Sequence, residues 1–115
     1  MIPAAPLLIA AALAAGGPDR RQALVDLAYV LGQAHALRQA CAGAADQAWR
    51  TRMTRLIEIE APGEAFKAQL VERFNAGFMT ARAEHPACDA GVAGAEQAAG
   101  LQGRALAERL GGAAP

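Results

Sequence analysis

The chain of 115 residues contains no serine, a single lysine (Lys67) and very few aromatic side chains: one tryptophan, one tyrosine and three phenylalanines. The absence of serine removes every serine-nucleophile mechanism. No surplus of basic charge exists either, since eleven basic and eleven acidic residues leave a formal net charge of zero. A general nucleic-acid binder shows itself as a strongly basic domain, so the balance argues against that class. β-branched residues are sparse, and no sustained alternating pattern marks a half-buried strand. Only two cysteines occur, Cys41 and Cys88, with neither a C-x-x-C nor a C-x-x-C-H motif. Thioredoxin-like redox chemistry and c-type haem attachment are thereby excluded.

What is present is mostly alanine. The hydrophobic fraction of 54% favours helix but buries little area per residue. The length suits one small domain with a thin core, and such domains often need a covalent staple. The first residues, MIPAAPLLIAAALAA, carry a short apolar run from Leu7 to Leu13, too short to span a bilayer. Ala12-Leu13-Ala14 fits the small-x-small rule for signal peptidase, so residues 1–14 read as a signal peptide, although no Lys or Arg precedes the apolar run.

Four helices follow, which predicts an all-α, up-down four-helix bundle over residues 19–110, with a disordered tail at 111–115. The first spans about residues 20–42, with Leu24, Leu27, Ala28, Leu31 and Ala34 on one stripe and Gly43 as its stop. The second spans about 47–60, capped by Asp46, with Trp49, Met53, Leu56 and Ile57 on its apolar face. The third spans about 64–84 and is closed by His85-Pro86. Its stripe is Phe66, Leu70, Phe74, Gly77, Phe78 and Ala81, and Gly77 on that stripe predicts close approach by a neighbouring helix. The fourth spans about 90–110, with Asp89 as cap. Its stripe is mostly small: Val92, Ala95, Ala99, Gly103, Leu106 and Leu110. Short connections favour antiparallel neighbours.

Cys41 ends the first helix and Cys88 precedes the fourth. In an exported chain two cysteines usually mean one disulfide. Its stabilisation by the chain-entropy relation is about 4 kcal/mol. The rival is a Cys₂His₂ zinc site with His35 and His85. His35 and Cys41 would then have to share one ion while about 9 Å apart along a helix axis. No metal centre and no cofactor is expected on this reading.

Two polar residues interrupt the first stripe. With Leu24 at zero, His35 falls at about 20° and Arg38 at about 320° on a helical wheel. Glu60 falls about 20° from Trp49 on the second helix. A buried charge needs a partner, so Arg38 is expected to pair with Glu60. His35, Arg38 and Glu60, rimmed by Trp49 and Tyr29, form a candidate polar pocket for an anionic or polar ligand. The plainer alternative is that these groups are structural. In WRTRMTRL, Trp49 to Leu56, Arg50, Arg52 and Arg55 flank an apolar face. Arg50 and Asn75 are candidate partner contacts. No catalytic residue set emerges.

The segments YVLGQAHALRQAC, WRTRM, EIEAP and RFNAGF, followed by Cys88, resemble a family of short, exported alphaproteobacterial proteins catalogued as a conserved domain of unknown function. The resemblance covers Ala28 to Cys88 and, more loosely, the last helix. It implies export and pairing of Cys41 with Cys88. It also places Leu31-Gly32, His35, Leu37-Arg38, Trp49-Arg50 and Asn75 in the family pattern. The resulting expectation is a periplasmic structural or protein-interaction module, with an envelope protein as partner, no nucleic acid and no stable membrane insertion. A small-ligand-binding protein or enzyme using the polar pocket is the alternative.

Overall fold

A computed structural model describes residues 17–111. The expected signal peptide, and residues 112–115 of the expected tail, lie outside those residues, whereas Gly111 is the last residue of a helix rather than part of a tail. Within them are four helices and no strand: α1 (Gly17–Ala42), α2 (Ala48–Glu60), α3 (Glu64–Glu84) and α4 (Val92–Gly111). Among the described residues no helix is long and apolar enough to cross a membrane.

The helix ends follow from local chemistry. Gly43 stops α1 in a left-handed conformation (φ 102°), and its N–H donates to the Gln39 carbonyl at 2.9 Å. Ala61 ends α2 in the same region (φ 45°) and donates to Ile57. Asp46 acts one residue further from α2 than predicted: Gln47 holds the cap position, and the Asp46 carboxylate accepts from the Ala48 N–H at 3.0 Å. Asp89 similarly accepts from Gly91 at 2.9 Å, and α4 begins only at Val92.

The predicted stripes are the faces that close the core. Leu24, Leu27, Ala28, Leu31 and Ala34 of α1 are all buried, as are Met53, Leu70, Phe74, Ala81, Val92, Ala99 and Leu106. Direction alternates up and down. Arg20 at the start of α1 meets Glu60 at the end of α2, whereas Arg38 near the other end of α1 meets Asp46 just before α2. Arg21 lies over Phe66 and His35 beside Phe78, so α3 runs parallel to α1. The bond from Cys41 to Cys88, with Leu27 and Val30 against Gly103, sets α4 antiparallel to α1.

The packing is not a square of four equal sides, because α1 is the element against which each of the others rests. Its closest neighbour is α3, and two glycines allow that. A Cβ at Gly32 would lie 1.9 Å from the Phe74 carbonyl oxygen, and one at Gly77 would lie 2.0 Å from the Tyr29 carbonyl oxygen. Each helix therefore has its glycine where the other's backbone passes. The close approach predicted from Gly77 is present, and Gly32 supplies its other half. The centre of α1 has apolar or small residues around most of its circumference, from Ala23 to Leu37. That composition suits a helix enclosed by three others.

Candidate functional site

The stapled end of the molecule gathers several of the residues singled out by sequence. Cys41 and Cys88 form a disulfide across 47 positions of sequence, with Cα atoms 4.7 Å apart. The bond uses both sulfurs that the zinc alternative required. Among the described residues no group of three or more His, Cys, Asp or Glu side chains is arranged to hold a metal ion.

Next to the disulfide a polar relay joins three elements. The Arg38 Nε donates to Asp46 at 2.9 Å, and its Nη1 lies 3.7 Å from Glu96 on α4. The same Glu96 carboxylate accepts from the indole Nε1 of Trp49 on α2 at 2.9 Å. Hydrogen bonding to Asp46 raises the Arg38 pKa above the ordinary guanidinium value. The Ala48 N–H, followed by Arg38, lowers the Asp46 carboxyl below the usual carboxylate range. Arg38 is exposed and Asp46 only half-buried, so the relay fixes geometry more than it adds stability.

The expected pairing of Arg38 with Glu60 does not occur. Glu60 ends α2 and accepts a two-pronged hydrogen bond from Arg20, at 2.7 and 3.1 Å. Arg38 is engaged near the opposite end of α2. Angular position on a helical wheel placed both groups on inward faces. The antiparallel course of α2 separates them along the axis and brings Arg20 to Glu60 instead.

The polar pocket drawn from His35, Arg38, Glu60, Trp49 and Tyr29 is therefore not assembled as one site. His35 is 4% exposed and packs beside the rings of Phe74 and Phe78, with centroids 5.6 and 5.3 Å away. Its Nδ1 is buried without a hydrogen-bond partner. Burial is the main cause that lowers its pKa, Arg50 adds to the effect, and Asp46 opposes it. Tyr29 lies at the junction with α3, under the guanidinium of Arg73 at 4.8 Å. Only Arg38 and Trp49 meet, through Glu96. The two candidate partner contacts, Arg50 and Asn75, are exposed on different helices.

A different concavity emerges where α2 and α4 part. It is a groove of about 510 Å³, floored by Leu27 and Leu31 of α1. Trp49, Arg52 and Leu56 line the α2 wall, and Gly100, Leu101 and Arg104 are prominent on the α4 wall. Its volume lies in the range of ordinary binding sites. Trp49 forms one end of it, where the indole hydrogen bond to Glu96 ties α2 to α4. Among the described residues no other hydrogen bond or ion pair joins these two helices. Gly100 keeps the wall low: a Cβ there would stand 3.4 Å from the Trp49 ring. Leu101 is 62% exposed at the lip. Arg52 stacks over the Trp49 ring at 4.4 Å.

The groove was not legible as such in the sequence. Its signals were present in pieces: an arginine-flanked tryptophan on α2 and a stripe of small residues on α4. Nothing in either segment states that the two face each other across a gap.

A family model described as "Protein of unknown function (DUF2385)" matches residues 20–113. No curated protein and no solved structure matches the chain.

Proposed function

The chain belongs to the DUF2385 family, and on that premise we propose that it is an exported, disulfide-stapled protein-interaction module that binds its partner in the groove between α2 and α4. The observation that carries this reading is the groove itself, an apolar trough with a tryptophan wall and an exposed leucine at its lip. A mostly apolar concavity of this size with a few polar groups at its edge is the usual form of a binding surface. Export draws support from the leader-like residues 1–14 and from a disulfide, which persists in oxidising compartments such as the periplasm. A catalytic reading draws no comparable support. The buried histidine lies between aromatic rings, and the one extended polar relay is tied up in internal hydrogen bonds.

Two measurements on the full-length gene expressed in a Gram-negative host test the proposal. Intact mass should show loss of about the first 14 residues and thiols that alkylate only after reduction. A photo-crosslinking amino acid at Leu101 should capture a discrete partner that the same group at Met79, exposed on α3, does not. An uncleaved chain with free thiols would remove export. Equal capture at both positions, or none at Leu101, would remove the groove as the binding surface.

A further inference from the structure

We propose that the partner segment held in this groove is an amphipathic helix whose apolar stripe is bordered by carboxylates. The inference rests on the groove being the docking surface and adds the chemistry of what docks.

Charge complementarity gives the sign. Each wall carries an exposed arginine, Arg52 on α2 and Arg104 on α4. Neither has an ion-pair partner among the described residues. No carboxylate is among the residues that line the groove, and Glu96, at its Trp49 end, is engaged by Trp49 and Arg38. Among the described residues only Arg20 and Arg38 of the arginines find a carboxylate of this chain; what sets Arg52 and Arg104 apart is that they face one another across the same groove. Guanidinium groups on both lips of an apolar trough match acidic residues on both flanks of an apolar stripe.

Shape gives the class of occupant. Small ligands bury most of their surface in their sites, but this groove is open and its lip residue Leu101 is largely exposed. A helix offers one face to the trough and keeps the other in water. The α4 wall runs from Gln97 to Ala107, about 15 Å at 1.5 Å per residue. That length accommodates anchors at i, i+3 or i+4, and i+7 of a docked helix. The floor of Leu27 and Leu31 supplies the apolar contact.

Trp49 is the only tryptophan of the chain and reports on its own wall of the groove. The probes are two synthetic helical peptides of about five turns, with the same leucine stripe at i, i+3, i+4 and i+7. One has glutamate on both flanks and the other lysine. Titrated at low salt, the glutamate peptide should change Trp49 emission saturably and bind about tenfold tighter than the lysine peptide. The double variant R52E/R104E, folded by circular dichroism because both side chains are exposed, should reverse that preference. Equal affinities, a preference for lysine, or an unchanged preference in the double variant would overturn the proposal. So would silence with both peptides while sodium decanoate saturates the Trp49 signal, which would identify a lipid chain as the occupant. Crosslinking at Leu101 is independent of these titrations. A discrete crosslink without acidic preference would reject the partner chemistry and retain the docking surface.

Discussion

The α1–α3 seam and the α2–α4 groove use the same residue type to opposite ends. At the seam, Gly32 and Gly77 sit under the backbone of the facing helix, with no room for one additional carbon. In the groove, a Cβ at Gly100 or Gly103 would find its nearest neighbours at 3.4 and 3.7 Å, ordinary side-chain contacts. The seam is closed by main chain meeting main chain. The groove stays open because the Trp49 side chain stands as a wall and the opposite helix brings little to meet it. Small residues on a helix therefore fix how near a neighbour can come. What the neighbour presents decides whether the gap is filled.

The largest expected effect breaks the seam. Gly32→Ala or Gly77→Ala sets a methyl against a backbone carbonyl, which must shift, at a cost of about 3 kcal/mol or more. Gly94→Ala, with nothing within 4 Å of the added carbon, should instead gain up to about 1 kcal/mol from helix propensity. Urea denaturation of the three variants side by side checks both signs. The next effect acts at the stapled end of the molecule. Replacing Cys41 and Cys88 together by alanine removes the covalent tie between α1 and the start of α4, with a loss of about 2–4 kcal/mol in the same assay.

A third test sharpens the comparison through pH. His35 belongs to the seam, and its folded-state pKa lies below the ordinary value. The unfolded chain therefore binds the proton more readily. The associated stability is present above about pH 6.5 and is lost as pH falls through that value towards the lower folded one. Stability measured from pH 8 to pH 5 should fall less steeply in His35→Gln than in the parent. A parent slope matched by the variant would remove His35 from the account. The smallest effect is at the last turn of α2. Arg20→Ala frees Glu60 and the end of α2, but the pair is partly solvated, so less than about 1 kcal/mol is expected.

Much of this architecture was written in local pattern. Leu24, Leu27 and Leu31 recur at helical spacing, Gly43 stops α1, and Gly77 lies on a buried stripe, so core faces and one close approach follow from periodicity. Arg38 shows where that method stops. A helical wheel reports direction around an axis and is silent about position along it. The expectation of antiparallel neighbours already placed Glu60, the last residue of α2, beside the start of α1, and Arg20 was there to receive it. The groove was less accessible still. It depends on α2 and α4 both resting on α1 while barely touching each other, a property of three helices together that no single segment encodes. Arg52 had a plain reading as a charge beside an apolar face, and only the opposing wall with Arg104 gives it a second.

The division between a closed scaffold and an open site is tested most directly by Leu101→Asp. Its melting temperature and its affinity for the glutamate-flanked peptide can be measured on the same sample. The side chain is largely exposed, so melting should match the parent while peptide binding is lost. Melting lowered as far as in Gly77→Ala, or peptide binding that survives unchanged, would contradict the account.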